Sequence, residues 1–207
     1  MKETPIPFWE KSYRETDTVA FSLSPNPTIQ KYESFFPKDG HILDVGCGEG
    51  QNAIYLAGRG FSRVEAFDLS EAGIAKTKLR ARQADVSLHA FPADLCTFEF
   101  DRPYDLIYSF GTLHFVAEAD WREFIYRAKA NTLPGGIHIM HIFTDQVPIT
   151  PDLAPFAIGL AANGAIRDCY ADWNILEFSS YVFEDEHPHM PLHYHSANKL
   201  VARKPLS

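Results

Sequence analysis

Apolar and polar residues alternate along this chain with two periods. Short apolar runs fall at 41–45, 63–67, 86–90, 104–110 and 137–143, each bounded by Gly, Pro, Asp or Asn within a few positions. That length and punctuation predict strands. Stretches of helical period lie between them, at 50–59, 70–84 and 119–132, the second opened by Ser70 as N-cap with Glu71 in the first turn. Strands alternating with helices imply a parallel sheet covered on both faces. After 143 the pattern changes. Residues 149–164 are apolar but broken by Pro151, Pro155, Gly159 and Gly164, and 167–173 reads as a helix. Asn174–Phe183 and Leu192–Ala202 read as two long strands that pair antiparallel at one edge. Residues 1–40 form a cap, with a short amphipathic helix from Phe8, a break at Ser24-Pro25-Asn26-Pro27 and a helix over 28–36. With no repeat or linker, the expected organisation is one domain over 1–207: cap 1–40, core 41–143, and a substrate-side segment 144–207.

The first strand ends in Asp44-Val45-Gly46-Cys47-Gly48-Glu49-Gly50. Glycines at alternate positions strip a strand-to-helix turn of side chains, so that a ligand can lie against the backbone. The second strand ends in Asp68, where nucleotide-binding folds grip ribose hydroxyls. The spacing is Gly-x-Gly-x-Gly, not the Gly-x-Gly-x-x-Gly of dinucleotide folds, and no Gly-Lys-Ser/Thr follows. A nucleoside without phosphates remains. Parallel sheets hold ligands at the carboxyl ends of their strands, and Asp44, Asp68, Asp94 and Ser109 all fall at such ends.

The 207 residues suit a single core, and 45% of them are apolar. A net charge of −8 without a basic run argues against a nucleic-acid partner. The odd, scattered set Cys47, Cys96 and Cys169 fits free thiols in a reducing, cytoplasmic compartment. No apolar signal core or membrane-length run is present. A small-molecule substrate is expected, with a monomer and a homodimer equally compatible.

Asp44, Gly46, Gly48 and Gly50 resemble motif I of the class I S-adenosylmethionine-dependent methyltransferases. The resemblance implies a doubly wound, Rossmann-like sheet of seven strands, mostly parallel with one antiparallel edge strand. It also implies S-adenosylmethionine as cofactor and S-adenosylhomocysteine as product. The glycine turn would approach the amino acid tail and ribose, Asp44 the ammonium group and Asp68 the ribose hydroxyls. Asp94 would accept from the adenine amino group, with Leu69 and Leu95 on either side of the ring. Ser109 and Phe110 would line the passage to the sulfonium, and Cys47, Asn52 and Leu113 complete the expected cofactor contacts. Asp44 also suits a cap on the following helix, Asp94 a turn acid, and Cys47 a buried filler.

Phe8-Trp9-Glu10-Lys11-Ser12-Tyr13, Gly48-Glu49-Gly50-Gln51-Asn52-Ala53, Leu133-Pro134-Gly135-Gly136, Tyr170-Ala171-Asp172-Trp173 and Leu200-Val201-Ala202-Arg203-Lys204 together resemble the tellurite-resistance methyltransferase family. Its members methylate tellurium and selenium oxyanions and thiol-like nucleophiles. The family's Glu-Leu-His-Arg corresponds to Asp185-Glu186-His187-Pro188-His189, so His187 carries over as a catalytic candidate and the arginine does not.

After the fourth strand the chain reads Ser109-Phe110-Gly111-Thr112-Leu113-His114, which lacks the Asn/Asp-Pro-Pro-Tyr/Phe of base-amino methylation. His114 is the candidate base or substrate orienter, and structural histidine is the alternative. Trp9, Tyr13, Phe115, Tyr170, His193 and His195 are expected on the substrate side. Four of the nine histidines, His187, His189, His193 and His195, fall in 187–195, and His-x-His on a strand shares a face; zinc or copper, a substrate pocket and a structural role are the alternatives, and since no Cys or carboxylate completes an obvious ligand set, no metal is assigned. Two alternatives stand beside methylation of a soft or oxyanionic acceptor. One is O- or C-methylation of a natural-product or quinone-like metabolite with His114 as base; the other is a cofactor-binding module without turnover.

Overall fold

The computed structural model describes residues 6–15, 17–186 and 191–206. Seven strands form one sheet: β1 (His41–Val45), β2 (Arg63–Asp68), β3 (His89–Pro92), β4 (Tyr104–Phe110), β5 (Thr132–Phe143), β6 (Asn174–Asp185) and β7 (His193–Arg203). Their spatial order is β3-β2-β1-β4-β5-β7-β6. The first five run parallel, and β7 runs antiparallel to both β5 and β6. The antiparallel strand is therefore second from the rim, and β6 is the outermost strand.

Helices α1 (Phe8–Arg14), α2 (Pro27–Tyr32), α3 (Gln51–Gly58), α4 (Glu71–Gln83), α5 (Glu118–Ala130) and α6 (Ala165–Asp168) pack around this sheet. Their starts are written locally. The Asn26 side chain accepts from Thr28 N–H with Pro27 at the first helical position, and the Ser70 side chain accepts from Gly73 N–H. Successive strand residues point to opposite faces, so β1 feeds two cores. Leu43 and Val45 join Trp121, Phe124, Tyr170 and Trp173 on the α5 side. Ile42 joins Ile29, Phe36 and Leu56 on the α2 and α3 side. Burial on both faces is why the central strands are almost continuously apolar.

Three boundaries differ from the sequence expectation. β3 begins at His89 rather than at 86, because Val86 N–H is spent on the Ala81 carbonyl as α4 unwinds through Asp85 at φ +53°. β5 begins at Thr132, since the Leu133–Gly136 turn pairs with Lys204 and is carried as an irregularity opposite Tyr104 and Leu106. α6 is a single turn, and the chain from Cys169 to Trp173 continues as turns.

The cap is fastened by one lysine. Lys76, buried on α4, donates to the carbonyl oxygens of Ser12, Glu15 and Thr18 at 2.7, 2.8 and 2.5 Å, and pairs with Glu49 at 2.9 Å. Glu49 also pairs with Arg80 at 3.2 Å and accepts from Ala20 N–H at 3.0 Å. A buried carboxylate is tolerable only when paired and hydrogen-bonded; here that requirement ties the glycine turn, the cap and α4 together.

Candidate functional site

Connections leave β1 toward β2 on one side, while β4 lies on its other side. Open parallel sheets hold ligands at such a reversal, beyond the carboxyl ends of the strands. A cavity of about 630 Å³ lies there, within the size range of small-ligand sites.

The glycine turn makes its floor. Gly46, Gly48 and Gly50 have φ of +72°, +54° and +81°, the left-handed region that side chains disfavour. A Cβ on Gly46 would fall 2.0 Å from Thr112 Oγ1, and one on Gly48 would fall 2.6 Å from the Tyr13 hydroxyl. Gly46, Cys47 and Gly48 line the cavity, as do Gln51 and Tyr13. The Cys47 thiol is buried, and burial together with the Asp44 and Asp68 charges pushes its pKa up, so it is a filler and no thiolate.

Asp68 lies at the end of β2 and lines the cavity. Its carboxylate accepts from Gly48 N–H and from Ser70 N–H, both at 2.8 Å, one on each oxygen. Leu69 N–H also faces this carboxylate, and the acceptor capacity that remains is what a ribose hydroxyl requires. Burial holds its pKa above the ordinary carboxylate value. Asp94 also lines the cavity while accepting from Cys96 N–H at 2.9 Å, so the turn-acid role and the cavity position coexist. Leu69, three-quarters exposed, and Leu95, buried, both border the same space, as does Phe110.

Six expected contacts are placed elsewhere. Gly50 does not line the cavity and instead packs on Thr77, whose Cγ2 lies 2.5 Å from where a Cβ would fall. Asp44 is buried beneath the turn, accepting from the Tyr108 hydroxyl at 2.9 Å and from Ala53 N–H in the first turn of α3, and it is not among the cavity-lining residues. Burial raises its pKa to about 8. Asn52 accepts from Asn26 N–H at 2.8 Å and so anchors the cap. Ser109 is fully buried and donates to the Val45 carbonyl at 3.0 Å, latching β4 to β1. Leu113 is a core side chain. Tyr170, expected on the substrate side, is fully buried beneath the sheet, its hydroxyl 2.7 Å from His138 Nδ1. For Asp44 and Ser109 the position at a strand end is legible locally, but the face is not.

The upper wall comes from the cap, the loop after β4 and the last strands. Trp9 packs on Phe115 with ring centroids 4.7 Å apart, and both line the cavity. His114 also lines it and is 1% exposed. Phe143 N–H donates to His114 Nδ1 at 3.4 Å, and the ring stacks on Phe143 with centroids 4.1 Å apart. Neutral imidazole carries one proton, so the proton is on Nε2. That atom is buried and has no hydrogen-bond partner among the described residues. Burial, reinforced by His141 and His195, holds the His114 pKa well below its ordinary value. His141, Phe183, Asp185 and Lys199 complete the wall. They come from β5, β6 and β7, and sequence reasoning did not single them out because only strand pairing brings them to the site. His193 and His195 lie behind this wall and do not line the cavity. His187 and His189 are outside the described residues.

A seven-stranded sheet of this order, with glycines beneath a nucleoside-sized cavity and an acid at the end of β2, is the fold of the class I S-adenosylmethionine-dependent methyltransferases. Residues 42–136 match the family model described as a methyltransferase domain. The chain is 28% identical over 145 residues to the probable S-adenosyl-L-methionine-dependent methyltransferase TehB of Haemophilus influenzae, covering 69% of this chain and 49% of that one. It is 30% identical over 140 residues to a protein of Eikenella corrodens named Hemagglutinin 1, covering 68% and 46%. It spans about half the length of the curated relatives it matches. The crystal structure of TehB from Haemophilus influenzae superposes with a TM-score of 0.75 at 22% identity, over 95% of this chain and 66% of that chain. The chain thus carries a class I S-adenosylmethionine-dependent methyltransferase domain, and it resembles TehB.

The residues present fit that cofactor. Side-chain-free backbone at Gly46 and Gly48, open carboxylate lone pairs at Asp68, and apolar surface at Leu69, Leu95 and Phe110 match its zwitterionic tail, ribose and adenine. None of the described helices is long and apolar enough to cross a membrane.

Proposed function

We propose that this domain transfers the methyl group of S-adenosylmethionine to a small, soft or oxyanionic nucleophile, of the tellurite, selenite or small-thiol type. The cofactor supplies a methyl carbon already activated by the sulfonium, so the protein's task is alignment and electrostatics. Asp68 and Asp94 would hold the nucleoside, and Trp9, Tyr13 and Phe115 would close the site against water.

One observation carries the choice of acceptor. The His114 ring borders the cavity with its acceptor nitrogen occupied by backbone, while its Nε2–H has no partner among the described residues and is covered, so a ligand would reach it only after a local shift of the wall. Leaving a buried donor unpaired costs about 1–3 kcal/mol. A ligand that accepts a hydrogen bond recovers this, and a base is what the ring is not. That favours an acceptor that arrives already nucleophilic and anionic over a hydroxyl that must be deprotonated, and His114 becomes an orienter. On the same wall Lys199 is paired with Glu177 at 2.7 Å, the Asp185 carboxylate is also present, and burial holds the His141 pKa down to about 4, so that ring is neutral. The three free thiols support a reducing, cytoplasmic setting.

The test is calorimetric binding of S-adenosylmethionine and S-adenosylhomocysteine, with NAD as control, to wild type and Asp68→Ala. It is followed by S-adenosylhomocysteine release with tellurite, selenite and small thiols. Micromolar binding lost in the variant, with turnover on one of these acceptors, is expected. Binding without turnover across the panel would point to a module that holds the cofactor only, and preference for NAD would sink the methyltransferase reading.

A further inference from the structure

Strands β6 and β7 pair so that Asp185 stands directly across from His193, and Phe183 across from His195. Residues opposite each other on a ladder, or two apart on one strand, share a face. Three ligating side chains therefore converge at the end of the β6–β7 ladder. His193 Nε2 and His195 Nε2 are 3.0 Å apart, and His195 Nε2 is 3.9 Å from Asp185 Oδ2. One ligating atom from each of the three residues lies within 4.8 Å of the others. Ligand atoms bound tetrahedrally at roughly 2.0–2.1 Å from a metal are about 3.3–3.4 Å from one another, which falls inside this range.

The surroundings are those of a ligand set. His193 Nδ1 lies 2.8 Å from the Pro191 carbonyl oxygen. A carbonyl only accepts, so Nδ1 holds the proton and Nε2 the lone pair. Metal-binding histidines are oriented in this way by a backbone carbonyl or carboxylate on the far nitrogen. The His195 ring is buried and fixed by stacking on Phe143, with centroids 4.7 Å apart. Asp185 and Phe183 also line the cavity, so the cluster borders the acceptor wall.

We propose that Asp185, His193 and His195 form a binding site for a divalent first-row transition-metal ion. Two imidazoles and one carboxylate suit zinc, iron or cobalt and discriminate against magnesium and calcium, which take oxygen ligands. Among the described residues the set has three protein ligands, and a tetrahedral ion takes a fourth. The sequence alone hid the set because its carboxylate comes from the neighbouring strand.

The test uses the untagged full chain. Equilibrium dialysis against Zn²⁺ with elemental analysis, and titration with Co²⁺ read by its visible d–d absorption, should give one ion per chain. Removal of a direct ligand in His193→Ala or Asp185→Asn should weaken binding by at least about tenfold, the lower bound for losing even an outer partner. Both side chains are partly exposed, and circular dichroism checks that the variants fold. S-adenosylmethionine binding, measured in parallel, should be unchanged in His193→Ala, whose side chain does not line the cavity. Absence of retained Zn²⁺ in the wild type, or variants that bind as tightly as it does, would overturn the site. Loss of cofactor binding by the wild type would instead count against the methyltransferase reading, with the metal stoichiometry unaffected.

Discussion

Gly48→Ala probes the cavity floor with two separable costs. At φ +54° an alanine pays the left-handed penalty of about 1–2 kcal/mol, part of which is offset by roughly 0.4–1 kcal/mol from the stiffer unfolded chain. The new methyl also falls 2.6 Å from the Tyr13 hydroxyl, a buried residue held between the cap and α4. Overpacking of this kind costs about 1–3 kcal/mol. The sum, about 2–4 kcal/mol, should lower Tm by roughly 5–15 °C for a domain of this size. The two costs separate in a double-mutant cycle. Tyr13→Phe removes the clashing oxygen, and the next ring atom is 3.4 Å from the methyl position, ordinary contact. Tyr13→Phe alone should cost less than about 1 kcal/mol. Gly48→Ala in that background should retain only the backbone share, giving a favourable coupling of about 1–3 kcal/mol. Urea unfolding of the four proteins measures it. Additivity within about 0.5 kcal/mol would show that Tyr13 does not rest on the turn, and the account of a cap seated on the glycines would fail.

Other expectations follow from buried polar groups. His138, fully buried between Thr132 and Tyr170, has its pKa held down to about 3 by burial, so below about 6.5 the unfolded chain takes up a proton that the folded one refuses. Its contribution is therefore full above pH 6.5 and falls with acidification. The stability of wild type minus His138→Gln should rise by about 1.4 kcal/mol per pH unit between pH 4 and 6.5 and level off above; a flat difference refutes this. Glu49→Gln leaves Lys76 and Arg80 without their carboxylate and should cost about 3–5 kcal/mol in chemical denaturation, and a cost under about 1 kcal/mol would show that the buried cluster is not holding the cap. Tyr170→Phe should lose about 1–2 kcal/mol of stability with cofactor affinity unchanged, since the hydroxyl serves His138 and not the cavity; a change in acceptor kinetics at equal cofactor affinity would return it to the site.

The sheet's parallel core was legible because its strands are short, apolar and punctuated, and the cavity's position followed from where those strands end. What sequence could not supply was the side of each strand end. Ser109 and Phe110 are neighbours, yet one latches β4 to β1 and the other faces the cavity. Asp44 and Asp68 end adjacent strands, yet one is sealed under the turn by Tyr108 and the other is open. Long-range pairing was equally invisible. Lys76 sits in a helix whose pattern gives no sign that it will be buried under three carbonyls from the cap. Asp185 meets His193 only because β6 and β7 pair in one particular register.

The placement of β7 between β5 and β6 has a consequence for biosynthesis. During translation β6 emerges before β7 but has no neighbour in the sheet until β7 arrives, so β5 and β6 both present unpaired edges for that interval. Such edges are templates for intermolecular pairing. The glycine turn, Asp68 and Asp94 are already on the folded side of this divide, while Asp185 and Lys199 are not. A nascent chain stalled before Arg203 would therefore hold the nucleoside half of the cavity without its far wall. Chaperone dependence should concentrate in the synthesis of its last strand.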